Sequence, residues 1–232
     1  MTLPPLSTRL LACCSFVHSG DRVADVGCDH GYLGIHLLKK GIAASVIAAD
    51  INEQPLQSAV RNAEKFGVAE NIRFYLSDGA KAIPREFDTL VCAGMGADTM
   101  ISILEAAPWL QSNQYRLILQ FQSRRQELRK YLYDNGFSIR AETLAKDGKF
   151  IYPIMEVVYA AAPPLSAAGY YISPALLQCK SPLLQAFYDR VVSGMETTVQ
   201  GLSRTGGEKY EFYCSVLAEL KQLEVQIHDN CC

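Results

Sequence analysis

DVGCDHGYL (Asp25–Leu33) is the stretch on which the fold turns. It closes a short apolar run, Arg22–Val26, and opens a helical pattern, Tyr32–Lys40, that stops at Gly41. A strand, a glycine-bearing loop and a helix in that order make a ligand cradle at a strand tip. The glycines stand at 27, 31 and 34, so the loop is not the GxGxxG of a dinucleotide enzyme. Asp29 occupies the middle of the loop, where a backbone hugging a ligand often has another glycine.

Outward from this loop, apolar runs of strand length alternate with amphipathic patterns. A helix over residues 6–17 precedes it, with Leu6, Leu10, Leu11, Cys14 and Val17 on one face. Beyond it come a strand at Val46–Asp50, a helix at Glu53–Phe66 ended by Gly67, and strands at Ile72–Leu76 and Thr89–Ala93. A helix at Ala97–Ala106, a strand at Arg116–Gln120 and a helix at Arg124–Asn135 ended by Gly136 follow. Phe137–Ala145 and Ile154–Ala160 read as two last strands around a turn at Asp147–Gly148. The alternation implies an α/β fold: a mostly parallel sheet with helices on both faces. The last two strands lack an intervening helix and are expected to pair antiparallel. That ending belongs to the class I methyltransferase variant of the Rossmann architecture.

Ala160–Pro174, rich in Ala and Pro, reads as a linker. After it, Leu184, Tyr188, Val191, Met195, Val199 and Leu202 recur at spacings of three and four. Beyond Thr205–Gly206–Gly207, Phe212, Val216, Leu220, Leu223 and Ile227 do the same. Two amphipathic helices of roughly 30–35 Å, at ~1.5 Å per residue, are expected to form an antiparallel coiled-coil hairpin. The expected domains are a Rossmann-like unit at 1–162 and a helical hairpin at 163–232.

No apolar run approaches the ~18–20 residues of a membrane span. Eight cysteines, with no CxxC and no Cys/His set of zinc spacing, read as reduced thiols of a cytoplasmic protein without a structural metal. The net charge is −2, and residues 1–162 carry 17 Lys+Arg against 17 Asp+Glu. A globally basic nucleic-acid binder is therefore excluded, and any RNA contact must use a local patch.

Ligands of parallel sheets bind beyond the carboxyl ends of the strands. Asp25, Asp50 and Asp78 stand at three successive strand tips. Asp50 is placed to accept from ribose hydroxyls, and Asp78 from an adenine amino group. Asp25 and Asp29 would repel a diphosphate but attract an ammonium and a sulfonium. That favours S-adenosyl-L-methionine over NAD. The expected cofactor set is Asp25, Gly27, Cys28, Gly31, Asp50, Ile51, Asp78, Gly79, Ala93 and Gly94.

With these residues on the page, DVGCDHGYL, LVCAGMGAD (Leu90–Asp98), LILQ (Leu117–Gln120) and the DGK turn (Asp147–Lys149) resemble the TrmK family. These are bacterial methyltransferases that modify N1 of adenine 22 in tRNA. The resemblance covers nearly the whole chain, and the Asp-His pair in the first loop is its most specific element. The chain departs from the family at Ala97, usually glycine, at Phe121, usually proline, and at Phe150–Pro153, which intervene before the last strand. The last two changes fall where a substrate base would lie.

The resemblance implies a tRNA substrate; neither DNA nor a membrane is expected as a partner, and the oligomeric state stays open, with a monomer favoured. N1 of neutral adenine carries a lone pair, so it attacks a methyl group without first losing a proton. The ring then becomes cationic, and a carboxylate beside its amino group would orient it and stabilise that charge. Asp29 is the candidate, with a cap for the following helix as its structural alternative. His30 is expected to orient Asp29 or touch RNA. Tyr32 and Met95 would flank an extruded base. Arg124, Arg125, Arg129 and Lys130 form the dense basic cluster, in which Arg125 and Arg129 are assigned to the RNA backbone. A small-molecule methyltransferase and a non-catalytic cofactor-binding scaffold are the alternatives.

Overall fold

The computed structural model describes residues 3–231, with side chains described for 3–227. Helix α1 (Thr8–Cys14) leads into β1 (Asp21–Val26), α2 (Tyr32–Lys39), β2 (Ala43–Asp50), α3 (Glu53–Phe66) and β3 (Ile72–Leu76). Then come β4 (Thr89–Met95), α4 (Ala97–Glu105), β5 (Arg116–Phe121), α5 (Arg125–Asp134), β6 (Phe137–Asp147) and β7 (Phe150–Tyr159). The remainder holds α6 (Pro174–Gln178), α7 (Leu184–Leu202), α8 (Glu208–Gln222) and α9 (Glu224–Cys231).

The sheet has seven strands in the order β3-β2-β1-β4-β5-β7-β6, with β7 antiparallel to both of its neighbours. The central strands β1, β2, β4 and β5 are largely buried on both faces, and their alternate residues feed opposite cores. Leu90 and Cys92 of β4 join one cluster, while Val91 joins the other; Leu117 and Leu119 of β5 separate from Ile118 in the same way. Each such Leu, Ile or Val contributes about 1.5–3 kcal/mol by burial. This is why the strands read as continuous apolar runs. The strand order reverses between β1 and β4, which opens a crevice above their tips.

The C-terminal part departs from a plain hairpin on a linker. Tyr188, near the start of α7, donates to the Leu220 carbonyl near the end of α8 at 3.1 Å, so these helices run antiparallel. The second predicted helix divides at Leu223 into α8 and α9, so α8 is shorter than expected at roughly 22 Å. The core of this part takes in Leu144 and Ile151 of the β6–β7 pair, beside residues of α6 to α9. Residues 166–173 are no tether, because Ala168, Ile172 and Ser173 are buried. The Ser173 hydroxyl caps α6 by accepting from Leu176 N–H at 3.0 Å.

Candidate active site

Around the reversal point the strand tips enclose a cavity of about 450 Å³. The loop after β1 is held by backbone conformation. Gly27 (φ +74°), Asp29 (φ +50°) and Gly31 (φ +71°) all adopt the left-handed region. A Cβ on Gly27 would lie 2.0 Å from Met95 Cε, so this glycine admits the Met95 side chain at the end of β4. A Cβ on Gly31 would lie 2.9 Å from Ala59 Cβ. Gly31 does not line the cavity, and α3 rather than a ligand demands its bare backbone.

The other predicted cofactor residues converge on the cavity: Asp25, Gly27, Cys28, Asp50, Ile51, Asp78, Gly79, Ala93 and Gly94. Asp50 is fixed by two backbone donors, Asp29 N–H into Oδ2 at 3.1 Å and Asn52 N–H into Oδ1 at 2.9 Å. Its remaining lone pairs are available to a diol. Asp25 is 4% exposed, and its Oδ2 is buried without a hydrogen-bond partner. Burial pushes its carboxyl up to about 7, with the Asp50 charge adding to the rise and the Gly34 N–H opposing it. At the opposite end of the sheet, the carboxylates of Asp21 and Glu156 both have the Arg116 guanidinium. Asp25 therefore stands out as a buried acid facing a cavity with no cation of its own. An orphaned acceptor beside a diol-ready Asp50 and the exposed Ile51 fits a nucleoside that carries an ammonium and a sulfonium. Cys28 presents a neutral thiol, since burial holds its pKa well above the usual thiol range. Asp78 is already engaged by Lys81, which also lines the cavity.

The predicted base contacts, Asp29, His30, Tyr32 and Met95, border the same cavity. The Asp29 side chain is 70% exposed, and its Oδ1 lies 3.6 Å from His30 Nε2. Asp29 is not the helix cap: Gly31 is the N-cap of α2, and no side chain bonds there. The His30 and Tyr32 rings are 5.8 Å apart between centroids. Met95 is positioned by its own carbonyl, which accepts from Gln122 N–H at 3.0 Å.

Two functional neighbours are absent from the sequence reading. Arg9 of α1 lines the cavity and donates to the Gln120 side-chain oxygen at 2.8 Å. The same oxygen, on a fully buried Gln120, accepts Gly94 N–H at 3.0 Å. Gln120 thus ties the end of β4 to α1. It stands in the sequence only as the last residue of the LILQ motif, with no role assigned to it.

The basic cluster is corrected. Arg129 is 0% exposed and its guanidinium is consumed by Glu142 and by the Tyr170 carbonyl at 3.1 Å. It cannot reach a phosphate; its work is to join α5, β6 and the segment leading to α6. Lys130 pairs with Asp134 at 2.7 Å, and Arg124 with Asp98 at 2.8 Å. Arg125 lies away from the cavity, its guanidinium 4.8 Å from the Phe187 ring centroid. Phe121 is fully buried beneath Arg129, so that departure does not face a substrate base. Phe150 is exposed near the β6–β7 turn, where Asp147 meets Arg9 at 3.4 Å.

The profile of a family described as "Methyltransferase domain" matches residues 6–155. The chain is 34% identical over 176 residues to the tRNA (adenine(22)-N(1))-methyltransferase of Bacillus subtilis (strain 168), covering 74% of this chain and 72% of the relative. Among solved structures it resembles the m1A22 tRNA methyltransferase TrmK of B. subtilis, with TM-score 0.77, 25% identity, and 97% and 98% of the two chains covered. It also resembles the Streptococcus pneumoniae protein Sp1610 in complex with S-adenosyl-L-methionine, with TM-score 0.82, 32% identity, and 94% and 99% covered.

Proposed function

The chain belongs to the family of the tRNA (adenine(22)-N(1))-methyltransferases, it is an enzyme dependent on S-adenosyl-L-methionine, and we propose that Asp29 faces the target adenine while Asp25 and Asp50 hold the cofactor. The observation that carries this assignment is the link between Asp29 and Asp50. One hydrogen bond of 3.1 Å, donated by the Asp29 backbone N–H to the Asp50 carboxylate, ties the acceptor for the cofactor's ribose to the residue whose side chain stands at the cavity mouth.

When bound, S-adenosyl-L-methionine supplies an electrophilic methyl group on a sulfonium. Asp25 meets the ammonium, a cation that its buried oxygen lacks in the protein alone. Asp50 accepts from the ribose hydroxyls, and Ile51 covers the cofactor's adenine. The target base, extruded from its stack, enters between Tyr32 and Met95. Asp29 accepts a hydrogen bond from its exocyclic amino group and so directs N1 at the methyl carbon. As the N1–C bond formed and the sulfonium S–C bond broke, releasing the demethylated cofactor as a neutral thioether, the Asp29 carboxylate would stabilise the positive charge passed to the ring. His30 orients Asp29.

The proposal extends to organisation. Residues 1–162 form the cofactor-binding domain and 163–232 a helical domain, supported by the cluster that gathers α6 to α9 and seats them on Leu144 and Ile151 of the β6–β7 pair. The enzyme acts in the cytoplasm, without DNA or membrane as partner. Among the described residues no helix is long and apolar enough to cross a membrane.

The test is incubation with labelled S-adenosyl-L-methionine and unmodified tRNA transcripts, followed by nucleoside analysis. We expect label in 1-methyladenosine, lost when adenine 22 is replaced. Transfer to a small molecule alone, or cofactor binding with no transfer, would overturn the assignment.

A further inference from the structure

A second cavity, of about 300 Å³, lies between α5 and α7. Arg124, Arg125, Tyr171, Arg190, Gly194 and Tyr213 are among its lining residues. The arginines there are not equivalent. Arg124 is committed to Asp98 at 2.8 Å and Glu127 at 3.2 Å. Arg125 stacks on Phe187, and Arg190 donates one N–H to the Lys149 carbonyl at 2.6 Å. Among the described residues neither has a carboxylate within 4.0 Å. The two also feel each other: burial is the largest cause holding Arg125 below the usual arginine range, the charges of Arg129 and Arg190 add to it, and Glu142, already paired with Arg129, opposes it. Packing thus holds two guanidinium groups together without an anion, an arrangement that an entering anion relieves.

The floor of the cleft is bare. Gly194 sits inside α7, and a Cβ there would meet nothing within 4 Å. No neighbour requires a glycine, although glycine weakens a helix interior relative to alanine. What it leaves is room for a bulky anion. The cleft adjoins the active-site cavity: Ser123 lines the cleft, and its Oγ lies 3.4 Å from where a Cβ on Gly96 would stand. Met95 and Gly94, one and two residues earlier, line the cavity.

We propose that this cleft binds a backbone phosphodiester of the substrate RNA, held by Arg125 and Arg190, while the target base enters the cavity across Gly94–Gly96. The inference rests on the reading that the substrate is tRNA. Planar guanidinium donors suit phosphate oxygens, and the aromatic rings of Tyr171 and Tyr213 offer faces to an adjacent sugar or base. An acidic protein segment in the same cleft is the competing outcome.

The experiment measures unmodified tRNA transcript and S-adenosyl-L-methionine with the full-length wild type, with Arg125→Gln/Arg190→Gln, and with Gly194→Leu. The double variant should raise the KM for tRNA about tenfold. It should also reduce the slope of log Kd against log salt by about 1.5, the loss of two phosphate contacts, with cofactor affinity unchanged. Gly194→Leu fills the cleft without removing a charge and favours the helix. It should raise the KM for tRNA several-fold without lowering the melting temperature. Unchanged KM and salt slope in the double variant, with wild-type methylation intact, would overturn the site alone and leave the cleft to a protein partner. A double variant whose cofactor affinity falls in step with its RNA affinity would likewise overturn it, marking the arginines as structural supports. A wild type that neither binds nor methylates tRNA would overturn the functional reading and the cleft with it.

Discussion

The two cavities flanking the loop Gly94–Gly96 are opposite in charge. The one above the strand tips gathers Asp25, Asp29, Asp50 and Asp78, and its cations Arg9 and Lys81 are already bonded to protein groups. The cleft between α5 and α7 gathers three arginines, two of them without a carboxylate partner among the described residues. The net charge of −2 averages these regions to nothing informative. Their separation assigns each a ligand: a cationic nucleoside on the acidic side, a polyanion on the basic side. A protein that held both ligands in one field would weaken one to favour the other.

The largest expected effect tests the boundary of the basic region. Arg129 neighbours the cleft arginines in sequence but is spent on Glu142. Arg129→Met should destabilise the fold by about 3–5 kcal/mol in denaturant titrations, because it leaves a buried carboxylate uncompensated. Arg129→Met/Glu142→Leu should cost less than either single change. A well-folded Arg129→Met with a reduced RNA salt slope would place Arg129 in the cleft and blur the comparison.

Next is the acidic mouth. Asp29→Asn keeps the size of the side chain, and Asn tolerates the left-handed backbone that Asp29 adopts. The charge it removes acts when the adenine ring turns cationic, so kcat should fall ~10²-fold or more, about 2.7 kcal/mol, with little change in cofactor affinity. Single-turnover methylation alongside calorimetry reads both. Wild-type turnover would make Asp29 a bystander, and a collapse of cofactor binding would move it to the cofactor.

The smallest effect is a pH dependence. Asp25 is raised to about 7 in the folded protein, against ~3.9 for an unfolded aspartate. Between these values the folded state holds the extra proton, so the ligand-free protein should lose stability as pH rises from about 4 to 7. Cofactor affinity should move the other way, because the ammonium pairs with the ionised carboxylate. It should improve about tenfold from pH 5.5 to 7 in calorimetry, following the ionised fraction of Asp25. The facing acid is Asp50, and the surrounding thiols of Cys13, Cys14, Cys28 and Cys92 are all pushed upward by burial and stay neutral in this range. A profile unaltered in Asp25→Asn would remove Asp25 from cofactor recognition.

How much of this was legible in sequence depends on distance along the chain. Asp25 and Asp50 end apolar runs of strand length, so local periodicity alone sends them to the same sheet edge. Glycines after regular patterns mark the ends of α3 and α5 correctly. Arg9 is different: it reaches the cavity by bonding Gln120, 111 residues away, and no local pattern announces that. Arg125 and Arg129, four residues apart on one helix face, are both assigned in sequence to the RNA backbone from their place in the basic cluster. That face is covered by residues 170–171 and α7, and the partner that neutralises Arg129 stands on β6. The division at Leu223 has no glycine or proline to signal it. It follows from packing, since α9 folds back against α6 and α7.

The most direct test of the division between acidic and basic regions is a salt titration of the wild-type enzyme, following Kd for tRNA and for S-adenosyl-L-methionine in parallel. Between 50 and 200 mM salt, two phosphate contacts alone should weaken tRNA binding by about tenfold, while cofactor affinity should stay within about twofold. Affinities for both ligands that weaken together, or a tRNA affinity indifferent to salt, would contradict it.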